Sequence, residues 1–465
     1  MSFAFFKISE ILHADGLNAE WNGPLDTKIS NISTDSRSIN LGDLFFAIKG
    51  DRFDGHDFVT KVFEKGAFAA VVNRSWIRGN KSALPCDRLM IVDDTLIAYQ
   101  LIARAYLKGL DIPVVTITGS SGKTTTKEMI WSVLSKKYKT VRNIKSFNNF
   151  IGVPHTIFQC RPKDEVLISE VGTNNFGELE RLSYLLNPDV CVMLNIGHAH
   201  LQTFKSQQGV LKAKMEIFKH ARRDAVAITN ADDDILKETK MPTDKRVTFG
   251  VENKDADIVA SDLQVDKNGC YGFQYSDIFI QLDIPGRHMV DNALAAIAVA
   301  KLFACDNQQI KSGLEKLNSV AQRLQVEYLD RLVVLNDSYN ANSDSCRAAL
   351  AAGADIDISA SAKRRAVFAS MLELGDASAA EHRKLADMAK KYGYAVLYLF
   401  GQETMATHER AQEIGLASNY FDDKSVLGEA LLADISADDL VLIKGSRMME
   451  METVVDFLKD SIKNK

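Results

Sequence analysis

Between Val114 and Glu128 the chain reads Val-Val-Thr-Ile-Thr-Gly-Ser-Ser-Gly-Lys-Thr-Thr-Thr-Lys-Glu, a set of residue types suited to gripping phosphate. Gly119 and Gly122 let backbone N–H groups close on phosphate oxygens, and Ser120, Ser121 and Thr125 complete a short polar turn. Lys123 is placed to neutralise the outer phosphates and the Thr124 hydroxyl to reach a magnesium ion. The spacing is tighter than the eight-residue Walker pattern, because Ile117 stands where that pattern has its first glycine. The competing possibility is an ordinary strand-to-helix turn with a solvated lysine.

Other polar residues fall where apolar runs end. Glu170 closes Val166-Leu167-Ile168-Ser169, where a carboxylate has no packing value; it is either a magnesium ligand facing the turn or a solvated strand end. His198 and His200 follow the next apolar run and either serve a second ion or phosphate or are solvated loop histidines. Asn292 lies near a helix start and can read an adenine edge or cap the helix. Asp337 and Lys444 end two further strands. Arg37 and Lys49 suit a diphosphate, and Ser36 or His56 a sugar or base, with plain surface turns as the alternative. By charge pattern alone Leu211 to Lys219, including Lys214, reads as a solvated helical face.

These residues need elements to hold them. Val114 to Thr118 is a buried-strand candidate followed by the helical pattern Met129, Ile130, Val133, Leu134. A helix begins at Asp94 or Thr95 and stops near Gly109. Strands are expected at 166–170, 189–195 and 225–230, then at 331–337, 366–369, 395–400 and 440–444, with helices between, including the Ala-rich stretches near 293–300 and 348–354. Leu44 to Ile48 is a further strand candidate. Strand–helix alternation predicts an α/β chain with a central doubly wound, mostly parallel P-loop sheet, a small α/β amino-terminal domain and a Rossmann-like α/β carboxy-terminal domain. The expected boundaries are 1–93, 94–320 and 321–465, in keeping with 465 residues.

Composition narrows the function classes. Hydrophobic content of 46% with 25% charged residues describes a globular chain, and a net charge of -5 offers no basic field for nucleic acid. The cysteines at 86, 160, 191, 270, 305 and 346 are scattered, with no zinc spacing, and are expected as small buried hydrophobes in a reducing cytoplasm. The apolar start Met1 to Phe6 is too short for a signal segment, and no run is long enough for a membrane span.

Taken in order, the Thr118 to Thr125 turn, Glu170, Asn195-Ile196-Gly197-His198-Ala199-His200-Leu201, Lys212 to Phe218, Gly286-Arg287-His288 with Asn292, Asn336 to Asn342, and Lys444-Gly445-Ser446-Arg447 resemble the Mur ligases. The likeness spans all three expected domains. It is strongest to the members that add D-alanyl-D-alanine to UDP-N-acetylmuramoyl-tripeptide, and it implies ATP-driven amide synthesis through an acyl phosphate in peptidoglycan precursor synthesis, with ATP and two Mg2+ ions as cofactors. A sister Mur-type or folylpolyglutamate-type ligase is the alternative. The resemblance implies that Thr124 and Glu170 bind magnesium and that His200 lies near a second ion. It matches Lys214 to a lysine commonly carbamylated in the family, and Asn292 to the adenine-binding asparagine. It matches Arg323 and Asp337 to groups that hold ATP from the carboxy-terminal domain. It makes Asp35, Ser36, Arg37, Lys49, Gly50 and His56 the UDP-sugar site, and Asn148, Asn149, Tyr339 and Asn340 the acceptor and dipeptide region. A cytoplasmic monomer is the expectation. The chain departs from the family in having Ala369-Ser370 for the usual Gly-Asp, Met289 for a common asparagine, and Asn174-Asn175-Phe176-Gly177 for the usual Asn-His-Pro-Gly.

Overall fold

The computed structural model describes residues 3–23, 28–50, 53–80, 86–144, 147–317 and 320–463. Its centre is a seven-stranded sheet in the spatial order Ile258–Val259, Arg246–Gly250, Val226–Asn230, Val190–Met193, Val114–Thr118, Val166–Glu170, Thr140–Arg142, with every neighbouring pair parallel. Val114–Thr118 carries side chains that are buried on both faces, as its unbroken β-branched run requires. Strand order reverses around it. Thr118 pairs with Met193 on one side and Ile117 with Glu170 on the other, so both flanking strands deliver their last residues beside the Gly119 turn.

The helix after the turn, Lys123–Leu134, buries Met129, Ile130, Val133 and Leu134 against this sheet. Gly122 precedes it with φ +80°, a conformation that favours glycine, and a Cβ there would stand 2.5 Å from Asn292 Oδ1.

The amino-terminal region forms a five-stranded sheet ordered Ala19–Glu20, Leu89–Val92, Ala69–Asn73, Leu44–Phe46, Ile32–Ser33, parallel except for Ala19–Glu20. The expected 44–48 strand ends at Phe46. The helix Thr95–Leu110 starts as expected on the Asp94 cap, whose carboxylate accepts from the N–H groups of Leu96 and Ile97, and ends on a left-handed Asp111. Its apolar residues, among them Tyr99, Ile102 and Leu107, join one core that reaches from Phe46 and Val71 of the amino-terminal sheet to Leu167 and Leu182 of the central region.

The carboxy-terminal region forms a six-stranded sheet ordered Gln325–Leu329, Leu332–Asp337, Leu440–Lys444, Arg364–Ala369, Tyr394–Phe400, Ala417–Phe421, parallel apart from Gln325–Leu329. Asp337 pairs with Lys444, which brings the two polar strand ends together. A three-stranded antiparallel sheet, Ser261–Val265, Cys270–Tyr275 and Ile278–Pro285, was not expected; its turns use left-handed Gly269 and Ser276, short signals inside a polar stretch. It docks on the helix Ser343–Asp355 through Asp357 N–H to Lys267 O at 2.9 Å and Tyr271 Oη to Asp355 at 2.9 Å. Cys160, Cys191, Cys270, Cys305 and Cys346 are buried and free, whereas the Cys86 side chain lies outside the described residues. Among the described residues no helix is long and apolar enough to cross a membrane.

Candidate active site

A cleft of about 1180 Å³ opens at the carboxyl ends of the central strands and is walled on its far side by the carboxy-terminal region. Ser120 to Thr125 form its floor. The Ser120 and Ser121 N–H groups both donate to Asn195 Oδ1 at 2.9 Å, and Gly197 N–H donates to Ser120 Oγ at 2.9 Å, so the turn is fixed from the next strand's end. The first bond from the helix back into the turn is Thr126 N–H to Gly122 O; the first-turn N–H groups ahead of it have no intrahelical acceptor. They present donors and a partial positive charge to the cleft. Lys123 Nζ donates to Gly119 O at 2.7 Å, and burial lowers its pKa against the opposing pull of Glu170.

Glu170 is 1% exposed, which rules out the solvated strand end. Thr124 Oγ1 donates to its Oε2 at 2.8 Å and Asn148 Nδ2 to its Oε1 at 2.8 Å. Asn143, unmarked in the sequence reading, brackets its backbone, accepting from Glu170 N–H and donating to Glu170 O, both at 2.9 Å. Lys127 is also new to the site: fully buried, 3.9 Å from Glu170 Oε2 and 3.3 Å from Glu128. Nothing in its local pattern separates it from a solvated helix lysine.

Lys214 overturns the reading from charge pattern. Lys212 and Lys219 on the same stretch are exposed, but Lys214 is 4% exposed and lines the cleft. Desolvation, aided by the Lys123 charge, pushes its pKa well below the lysine range, shifting the balance toward the neutral amine. A neutral buried amine is the form that can take up CO2. Among the described residues no three His, Cys, Asp or Glu side chains gather as a ready-made metal cage. The donors facing the turn are one hydroxyl and one carboxylate, which fits a magnesium ion that completes its shell with phosphate oxygens and water.

The histidines lie at the seam between regions. The His198 backbone N–H donates to Asp344 Oδ2 at 2.7 Å and its ring Nδ1 lies 3.6 Å from the same oxygen, while His200 Nδ1 lies 2.5 Å from Glu373 Oε2, so neither is a freely solvated loop side chain. Asn292 is the fifth residue of the helix His288–Leu302, too far in to cap it; its Oδ1 accepts from Thr126 Oγ1 at 3.1 Å, and among the described residues its Nδ2 meets only Met289 Sδ at 3.6 Å. Burial pushes His288 down to about 4 and Asp291 up to about 7 on the same helix.

From the carboxy-terminal side, Lys444 Nζ donates to Asp337 Oδ2 at 2.5 Å and to Asn340 O at 2.8 Å, and the Arg323 guanidinium covers the Tyr339 ring at 4.2 Å. These residues and Asn149 line the cleft with the turn. Gly119 does not line it, and neither do Asp35, Ser36, Arg37, Lys49, Gly50 and His56. Arg37 pairs with Asp35 at 2.8 Å, holding that carboxyl below its usual range, and Lys65 Nζ donates to Ser36 O at 2.9 Å. Lys49 and Gly50 are exposed. His56 is 4% exposed, with Nδ1 2.5 Å from Asp54 and Nε2 accepting from Asn73 N–H at 2.9 Å, so both ring nitrogens have partners inside the protein.

Three family models match consecutive stretches of the chain: the Mur ligase family catalytic domain over 28–105, the Mur ligase middle domain over 117–300 and the Mur ligase glutamate ligase domain over 322–447. The UDP-N-acetylmuramoyl-tripeptide--D-alanyl-D-alanine ligase of Bacillus subtilis is 34% identical over 98% of both chains, and that of Escherichia coli is 34% identical over 96% of this chain and 97% of its own. Among solved structures, MurF from Acinetobacter baumannii superposes with a TM-score of 0.87 at 29% identity over 99% of both chains. MurF from Thermotoga maritima, in complex with ADP, does so with a TM-score of 0.81 at 26% identity over 93% of this chain and 98% of that one.

Proposed function

The chain belongs to the Mur ligase family, and on that premise we propose that it is the ATP-dependent ligase that joins D-alanyl-D-alanine to UDP-N-acetylmuramoyl-tripeptide, a step of peptidoglycan precursor synthesis. The observation that carries this reading is the meeting in one cleft of the phosphate turn, Lys123, the Thr124–Glu170 pair and the buried amine of Lys214.

In the reaction a tripeptide carboxylate oxygen bonds to the γ-phosphorus of ATP and ADP leaves. The dipeptide amine then attacks the acyl carbon, and phosphate departs as the C–N bond forms. Both steps concentrate negative charge on oxygen, so fixed donors and positioning supply most of the rate. The first-turn N–H groups and Lys123 face the phosphates. Thr124 and Glu170 would hold one magnesium ion, and His200 with a carbamate on Lys214 a second; bound there, the ions neutralise phosphate charge. Asn292 offers Nδ2 to adenine, and Arg323 and Asp337 reach the nucleotide from the carboxy-terminal side. Asn148, Asn149, Tyr339 and Asn340 line the acceptor and dipeptide region. The passage of half-buried Asp35 and Ser36 with exposed Arg37, Lys49 and Gly50 in the amino-terminal domain (1–93) takes the UDP moiety, with His56 shaping that loop rather than touching the sugar. The chain works as a cytoplasmic monomer.

Phosphate release measured with each candidate nucleotide-peptide, with and without D-alanyl-D-alanine, tests the assignment. Release should require both substrates, and Lys123→Ala should slow turnover about a hundredfold to a thousandfold. Release indifferent to D-alanyl-D-alanine, or a near-normal Lys123→Ala enzyme, would overturn it.

A further inference from the structure

His200 and Glu373 meet from opposite sides of the seam between the central and carboxy-terminal regions. Both are non-glycine residues in the left-handed region, at φ +52° and +71°. Left-handed backbone is strained for a residue that carries a Cβ, so the surroundings must enforce both. They do. Thr203 and Phe204 N–H groups both donate to His200 O at 3.0 Å, and the His200 ring stands edge-on to Phe204. On the other side, Met371 N–H donates to the fully buried His382 Nε2 at 3.0 Å and Leu372 N–H to Ser446 Oγ at 2.9 Å. Across the seam Gln202 N–H donates to Glu373 O at 3.0 Å. The Glu373 carboxylate then reaches His200 Nδ1 at 2.5 Å.

The pair is a poor device for stability. Glu373 is 55% exposed, and a contact this open to water offsets little of what two left-handed backbones cost. What the geometry does control is the imidazole. An ionised carboxylate only accepts, so in the neutral ring it holds the proton on Nδ1 and leaves the Nε2 lone pair as the ring's free donor atom. His200 lines the cleft.

We propose that Glu373 is a positioning residue for the ligase reaction, holding His200 across the seam in the Nδ1–H form so that Nε2 is offered to the cleft. This rests on the function proposed above. It also makes a group of the central region depend on the carboxy-terminal one, because the carboxylate arrives only when the two meet.

The test uses the full chain, wild type, Glu373→Gln and Glu373→Ala, with folding checked by thermal melting. Ring nitrogen shifts from histidine-labelled, ligand-free and metal-free protein, assigned by the signal missing in His200→Asn, read the tautomer. The wild type should show the Nδ1–H form, Glu373→Ala should lose it, and Glu373→Gln, which keeps an acceptor oxygen, should retain most of it. In turnover, Glu373→Ala should lower kcat about 10- to 100-fold with KM for ATP within about twofold, and Glu373→Gln should recover most of the loss. An identical His200 tautomer in wild type and Glu373→Ala, or kcat and KM moving together in both variants, would overturn the proposal. The ring signal needs no substrate, so it is separate from any failure of D-alanyl-D-alanine ligation.

Discussion

Asn195 holds the phosphate turn from outside it, and removing that hold has a calculable effect on ATP binding. In Asn195→Ala the Ser121 N–H loses its acceptor, while the Ser120 N–H keeps the Asn195 backbone oxygen at 3.2 Å. One orphaned, partly buried N–H and one weakened bond cost about 1–3 kcal/mol, which is about 5- to 150-fold in affinity if it falls on the nucleotide-bound turn. Asn195→Asp separates geometry from charge. It keeps the acceptor oxygen but sets an anion beneath the phosphates in place of the amide that donates to Ser121 O at 3.3 Å. A unit charge about 7 Å away at an effective dielectric of about 20 is worth about 2 kcal/mol, so the loss should be comparable in size and different in kind. Titration calorimetry with a non-hydrolysable ATP analogue at low and high salt distinguishes them: the aspartate deficit should shrink with salt and the alanine deficit should persist. Alanine binding within twofold of wild type, with an unchanged melting temperature, would refute the role of Asn195.

Lys214→Met should abolish ligation yet raise the melting temperature, since it removes a buried amine whose ammonium form is already disfavoured; activity in Lys214→Ala should return partly on adding short carboxylic acids, and full activity without them would dismiss the carbamate. Asp291 is raised to about 7 by burial, so its folded form keeps a proton that the unfolded chain has released, and stability is lost as pH rises from about 4 through about 7. Melting scans should therefore show Asp291→Asn more stable than wild type at pH 8 and no better at pH 4; a gain equal at both would exclude ionisation as the cause.

What could be read from the sequence was what local chemistry determines. The turn, its strand and its helix follow from glycine placement and an unbroken β-branched run, and Glu170 was conspicuous because a carboxylate closes an apolar strand. Lys214 and Lys127 carried no such mark: each sits among charged residues, and only tertiary packing separates the buried lysine from its exposed neighbours. For His56 a polar loop suggested a ligand contact, and its internal partners, Asp54 and the Asn73 N–H, were not legible from that loop. Glu373 lies 173 residues from His200, and nothing local to either indicates the other.

The helix Thr95–Leu110 has a consequence for how the protein comes apart. One hydrophobic core runs through it from the amino-terminal sheet to the central one, and Thr95 Oγ1 also donates to the buried Ala47 O of the amino-terminal region at 2.8 Å. Two regions that share an interior cannot lose it separately. Heat or denaturant should melt the amino-terminal and central regions in a single cooperative transition, and a chain shortened to begin at Pro113 would start life with the apolar faces of Leu167, Leu182 and Leu185 uncovered, prone to aggregation rather than to independent folding.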